Sequence, residues 1–441
     1  MSTIPPMTMP CRSSSAPGCD TECGSAPAAR LNASCLCVSH EREALVGALE
    51  SGSGDAEVAA LIAARCPHLF SRQPVFVSRQ QAERIAQLIG AIESVIALPA
   101  YREAVLADAP EIARHDPGTR SVFFGYDFHV GENGIALIEI NTNAGGALLN
   151  AALARAQDPC AALAGAAQGT HGARQLETEI VAMFREEWRL GGTGGPLGSV
   201  AIVDADPASQ YLYPEFLLFR KLLQRHGITA VIAAPGDLRW DAGRLWHGAT
   251  PIDLVYNRMT DFMFEAPDSA AIRAAYLARA AVVTPHPHAH ALYADKRNLA
   301  ILSDRARLAA LGVPAATQQI LLAGIPHTEL VHSGDAARLW GLRRQRFFKP
   351  AAGYGGRAAY RGDKLTRRAW DEILGGVYVS QAFVAPSERT VSTPSGPESL
   401  KFDLRAYCYA GKVQWHAARV YQGQATNMRT PGGGFAAVYF V

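Results

Sequence analysis

The chain has 441 residues, of which 49% are hydrophobic, enough for two or three domains that each bury a core. Its 42 basic and 40 acidic side chains leave a net charge of +2, which offers no broad footprint for nucleic acid or an anionic membrane. No apolar run approaches the roughly 20 residues that span a bilayer, and no basic flank followed by an apolar segment opens the sequence; a cytoplasmic protein acting on small molecules is expected, with a homodimer left open.

Residues 1–40 are rich in Ser, Pro and Gly and poor in large apolar side chains, so they read as a flexible tail. Cys11, Cys19, Cys23, Cys35 and Cys37 fall there at spacings that match no common zinc knuckle; a metal or redox role is the other reading. Ser78 with Gln81 forms a capping-box signature ahead of Ile85, Leu88, Ile89, Ile92, Val95 and Ile96 at helical spacing, and Pro99 ends that helix. Two apolar runs, Ser121–Phe128 and Ile135–Ile140, joined by Gly131-Glu132-Asn133-Gly134, predict a β-hairpin with Asn-Gly in its turn. A long helix follows from about Ala173 to Leu190, with Gly191-Gly192 as its cap.

From Val200 the pattern becomes strand (200–203), helix (213–225), strand (228–232) and strand (252–256), the rhythm of a parallel sheet covered by helices. The last third alternates again: Phe347-Phe348-Lys349-Pro350, a glycine-rich loop, Tyr378–Val384, and a hairpin Lys401–Tyr421 turning at Ala410-Gly411-Lys412. In its first arm Phe402, Leu404, Ala406 and Cys408 share one face, which turns Asp403, Arg405 and Tyr407 to the other.

Three constellations carry chemistry. Glu139 and Asn141 alternate with apolar residues in Leu137-Ile138-Glu139-Ile140-Asn141, with Asp127 across the hairpin, offering three hard oxygen ligands for Mg²⁺; as isolated residues they also describe a solvated strand face. Lys349 opens Lys349-Pro350-Ala351-Ala352-Gly353-Tyr354-Gly355-Gly356-Arg357, where Gly353, Gly355 and Gly356 let backbone amides approach phosphate oxygens. This is no P-loop, since the Gly-Lys-Ser/Thr and its helix are missing. Arg405, Arg419, Asn427 and Arg429 stand near Pro431-Gly432-Gly433-Gly434, and guanidinium forks suit carboxylate or phosphate oxygens.

Together these segments resemble the ATP-grasp ligases. The resemblance implies Lys349 and its glycine loop as the flap over the phosphates and Gln381, Phe383 and Val384 as the hinge that meets adenine. Asp403, Asn427 and Lys296 would then serve ATP, and Asp127, Glu139 and Asn141 the metal. In most members of that family the metal strand comes last, whereas here it comes first. That order resembles eukaryotic glutathione synthetase, a circularly permuted ATP-grasp enzyme, over about Asp116 to Val441. Val255-Tyr256-Asn257-Arg258 and Ala294-Asp295-Lys296-Arg297 fall in matching order. The sequence departs from that enzyme at Gly353, where it has an acidic ligand, at Gly125, where it has Arg, and at Pro431, where it has Lys.

The fold implied is α/β (α+β): a permuted ATP-grasp core with an inserted α/β parallel-sheet substrate domain. Its expected parts are the tail (1–40), N-terminal helices and metal hairpin (41–196), the substrate domain (197–284) and the ATP-binding region (285–441). The expected function is ADP-forming ligation of a carboxylate to an amine through an acyl-phosphate, with ATP and Mg²⁺, and with Arg405 and Arg429 as catalytic cations. A kinase on the same fold and a catalytically silent nucleotide-binding module are the alternatives.

Overall fold

The capping box at Ser78 forms as the sequence predicts: the Ser78 hydroxyl accepts from the Gln81 amide at 3.1 Å and the Gln81 side chain accepts from the Ser78 amide at 2.9 Å. In this computed structural model, residues 27–36, 45–47, 49–50, 56–131, 134–156, 165–166, 168–192, 194–353, 358–393 and 395–441 are described. In chain order the elements around the site begin with α1 (Ala28–Ser34), β1 (Val75–Val77), α2 (Arg79–Ile96), β2 (Phe124–Gly131), β3 (Gly134–Asn141) and α3 (Ala147–Ala156). A central group comprises α4 (Gly169–Leu190), β4 (Ser199–Val203), α5 (Tyr213–Arg225), β5 (Thr229–Ala233), β6 (Leu254–Asn257) and β7 (Val282–Thr284). Then follow β8 (Thr328–Leu330), β9 (Arg346–Pro350), β10 (Tyr360–Arg361), β11 (Tyr378–Ala382), β12 (Ser387–Thr393), β13 (Gly396–Tyr409), β14 (Lys412–Tyr421) and β15 (Gly434–Phe440).

A seven-stranded sheet runs in the order β1-β15-β14-β13-β2-β3, with β12 also on β13. One face buries Phe402, Leu404, Ala406 and Cys408 against Ile85, Leu88, Ile89 and Ile92 of α2. The expected alternation thus holds, and it leaves Asp403 and Arg405 for the opposite face. The central group forms a parallel sheet, β7-β6-β4-β5, within a residue or two of the strand ends read from sequence. Strands β8-β11-β9-β10 make a small antiparallel sheet that carries Lys349 and Gln381.

Residues 27–36, placed by the sequence reading inside the flexible tail, form α1 and the turn after it, with Leu31, Asn32 and Cys35 buried. The physical reason lies far down the chain. Arg389 is fully buried and donates to the carbonyls of Leu31, Asn32 and Cys35, closing the carboxyl end of α1, while Asn32 pairs with the backbone of Phe76 through both its amide atoms. Local composition is silent about such a distant partner. Cys11, Cys19, Cys23 and Cys37 lie outside the described residues. Among the described residues, no helix is long and apolar enough to cross a membrane.

Candidate active site

Strand pairing brings the first and last thirds of the sequence together. In the antiparallel register Asp127 of β2 stands opposite Glu139 of β3 on one side and Arg405 of β13 on the other, and Asp403 of β13 stands opposite Arg419 of β14. All five side chains therefore occupy one face across four strands. A bulge makes this possible. Asp127 pairs with Glu139 but Phe128 pairs with Leu137, so Ile138 is the extra residue; Leu137 and Ile140 keep to the buried face while Glu139 and Asn141 keep to the other.

That face forms one wall of a cavity of about 330 Å³; β9 and β11 contribute Lys349 and Gln381 to the other. Among the described residues, seven basic side chains line it, Lys296, Lys349, Arg361, Lys364, Lys401, Arg405 and Arg419, against three acidic ones, Asp127, Glu139 and Asp403. A local basic surplus thus stands in a chain whose overall charge is only +2. Lys349 donates to the Ile138 carbonyl, which the bulge releases from the ladder, at 2.8 Å, and to Gln381 Oε1 at 2.9 Å. Lys296 donates to the Gly353 carbonyl at 2.7 Å and stands 3.9 Å from Glu139 Oε2.

Burial alone would raise the Glu139 pKa, but Lys296, Lys349 and Arg419, with the Asn141 amide, bring it down to about 2. Burial is also the largest influence on Lys349 and lowers its pKa to about 8, with Lys296 adding to the effect and Glu139 and Asp127 opposing it. Arg405 and Arg419 are driven the other way: burial weakens them, yet the carboxylate pairs hold both above the usual arginine range. The carboxylate of Asp127 takes two 2.7 Å bonds from Arg405, one of 2.8 Å from Arg419 and one of 3.0 Å from Asn141. Asp403 pairs with Arg419 at 2.6 Å and accepts the Thr426 hydroxyl.

For a divalent cation the three expected ligands differ in fitness. Glu139 is ionised, and Asn141 lies beside it with its amide nitrogen 3.3 Å from Glu139 Oε1, so turning that amide over would present its oxygen as a hard ligand. Asp127 is already committed to four hydrogen bonds. Among the described residues, no group of three or more His, Cys, Asp and Glu side chains is arranged to hold a metal ion.

Of the residues expected at ATP, Lys296, Lys349, Gly353, Gln381, Phe383, Val384 and Asp403 line the cavity, as does Arg405. The hinge is partly occupied by the protein itself: the Phe383 amide donates to Gln345, the Val384 carbonyl meets His129 Nδ1 at 2.8 Å, and the Arg361 guanidinium lies over the Phe383 ring. Asn427 and Arg429 are not brought into the cavity. Asn427 is exposed and closes its own loop through Gln422 and Thr430, and the exposed Arg429 lies over Tyr211. Gly355 and Gly356 fall outside the described residues.

Two further contributors carry weak sequence signals. His129 follows Asp127 by two on the same strand, but a lone histidine in an apolar run has no distinctive pattern. Glu215 is buried from within α5 and accepts from the amides of Gly146 and Leu148, seating the amino end of α3 and the Gly145-Gly146 corner at the cavity edge. Only its position in the largely apolar first half of that helix, 213–219, hinted at this.

No protein-family model matches the chain, and no curated protein matches it by sequence. Among solved structures it is similar to a glutathione synthetase-like effector from Globodera pallida in its apo form. The two share 11% identity at a TM-score of 0.54, over 91% of this chain and 98% of that one. A lower similarity, TM-score 0.46 at 11% identity over 83% of this chain and 89% of the other, relates it to a putative gamma-glutamylcysteine synthetase from Methylobacillus flagellatus KT. The first of these likenesses extends to the fold.

Proposed function

We propose that the protein is an ATP-dependent, ADP-forming carboxylate–amine ligase of the ATP-grasp kind, with the order of its core permuted and residues 197–284 inserted as a substrate domain. The observation that carries this reading is the seven-to-three excess of basic over acidic side chains around one cavity between two antiparallel sheets. A cavity so charged suits polyphosphate, and the fold shared with the glutathione synthetase-like effector is compatible with that reading.

In this reading Lys296 and Lys349 neutralise the phosphates, and the backbone near Gly353 approaches them closely. Glu139 and Asn141 would hold Mg²⁺, which when bound adds charge neutralisation at the transferring phosphoryl group. The substrate carboxylate attacks the γ-phosphorus, ADP departs, and an amine then displaces phosphate from the acyl carbon. Arg405, which lines the cavity, would hold the acid's oxygens through both steps. Closure of the two walls over the substrate would keep out water, which hydrolyses an acyl-phosphate.

The test is a screen with ATP, Mg²⁺ and pooled amino acids, thiol-peptides and polyamines, scored by ADP release and followed by mass spectrometry of the products. ADP together with a new amide supports a ligase. ADP with a phosphorylated product replaces it by a kinase on the same fold, and absence of nucleotide binding removes the reading altogether.

A further inference from the structure

We infer that Asp127 is a positioning residue rather than a metal ligand: it locks Arg405 and Arg419 side by side as a paired receptor for the oxyanion that reacts in the cavity. The inference rests on the ligase reading above and revises the metal set that came with it.

The argument begins with donors and acceptors. Each guanidinium offers five N–H groups in a fixed fork. Arg405 gives Nε and Nη2 to the two oxygens of Asp127, both at 2.7 Å. Arg419 gives Nη2 to Asp127 at 2.8 Å and Nε to Asp403 at 2.6 Å. Two carboxylates therefore take one N–H from Nε and one from Nη2 of each arginine; among the described residues Nη1 and the second Nη2 hydrogen of each remain, on side chains that both line the cavity. An oxyanion with two oxygens, a carboxylate or a phosphoryl group, is the partner that two guanidinium groups held on one carboxylate recognise.

Cross-strand register makes the arrangement stiff. Asp127 is directly opposite Arg405, and Asp403 directly opposite Arg419, so neither pair depends on a loop. Gly125 completes it: a Cβ there would stand 3.0 Å from Arg405 Nε and 2.6 Å from Ala144 Cβ, so the missing side chain is the space in which the Arg405 fork lies. Of the four hydrogen bonds on the Asp127 carboxylate three fall on Oδ2 and one on Oδ1, and a cation bridging the two oxygens would displace the Arg405 fork. Glu139, with Oε2 facing Lys296 at 3.9 Å, carries no such commitment.

The experiment measures Mn²⁺ affinity by electron paramagnetic resonance in the presence of ADP, and inorganic phosphate affinity of the same complex by calorimetry. Glu139→Gln should weaken Mn²⁺ binding at least tenfold. Asp127→Asn should change it less than threefold while weakening phosphate at least tenfold. Because Asp127→Asn leaves two arginines short of a partner and can unfold the protein, Arg405→Lys is measured alongside. That variant keeps the charge but loses the fork, which opens the space between the two Asp127 oxygens while Arg419 and Asn141 stay on Oδ2. If Asp127 were a ligand, Mn²⁺ would bind more tightly to it; the positioning role leaves Mn²⁺ unchanged and weakens phosphate. Equal loss of Mn²⁺ in Asp127→Asn and Glu139→Gln, or tighter Mn²⁺ in Arg405→Lys, overturns the inference and spares the ligase reading. A native protein that holds no Mn²⁺–ADP takes both down.

Discussion

Lys349 reaches the carbonyl of Ile138, 211 residues earlier in the chain, at 2.8 Å. It joins the small antiparallel sheet to the bulge of the β2–β3 hairpin and so sets the distance between the two walls of the cavity. The ammonium gives up water to do this, which is why its pKa falls from the usual 10.5 to about 8.

A pH dependence follows with a definite sign. On the ligase reading, Lys349 is charged below about pH 8 and would attract phosphate; above it the unliganded protein loses that charge, so kcat/KM for ATP should fall as pH rises through 8. Bound phosphates favour the ammonium, so the limb in kcat should lie at higher pH. Lys349→Arg, which keeps its proton throughout, should flatten the kcat/KM limb; a limb unchanged in that variant assigns the titration to another group.

Glu139→Gln removes an ionised oxygen without changing volume. ATP turnover should fall by at least about 100-fold, roughly 2.7 kcal/mol of transition-state stabilisation. Circular dichroism should remain native, and turnover within a few-fold of the parent would rule Glu139 out as the metal-binding carboxylate.

Arg429 was expected from sequence to be catalytic, but it is exposed and outside the cavity lining, whereas Arg419 lies within it. Arg429→Ala should alter kcat/KM by less than about threefold, and Arg419→Ala by about 100-fold or more. Steady-state kinetics on the two variants decide between them, and the reverse order of effects would return the catalytic role to Arg429.

Gly146 has φ +106°, and a Cβ on it would stand 2.2 Å from the Phe435 ring. Gly146→Ala should therefore cost about 3 kcal/mol of stability through backbone strain and overpacking together. Urea denaturation reads this directly; a loss below about 1 kcal/mol would mean that the Phe435 ring moves aside easily.

Deleting residues 1–36 strips Arg389 of the Leu31, Asn32 and Cys35 carbonyls. Leaving a buried cation short of acceptors should cost about 3 kcal/mol, seen as a lowered melting temperature. An unchanged melting temperature would restore the view of this whole stretch as a dispensable tail.

What the sequence determined by itself was local. The period-2 pattern of Phe402 to Cys408, the capping box at Ser78 and the strand–helix rhythm from Val200 depend on neighbours within a few residues, and each element formed close to its expected ends. The alternation of Glu139 and Asn141 was legible for the same reason. Tertiary structure alone decided which charges meet. Asp127 read as a metal ligand because three oxygen-bearing residues on a hairpin are equivalent in sequence, and only the register of β13 against β2 put Arg405 on its carboxylate. The burial that lowers the Lys349 pKa and the hold of Arg389 on α1 are likewise relations between residues hundreds of positions apart. Hydrogen bonds and desolvation act over a few ångströms in space, a distance that separation along the chain does not encode.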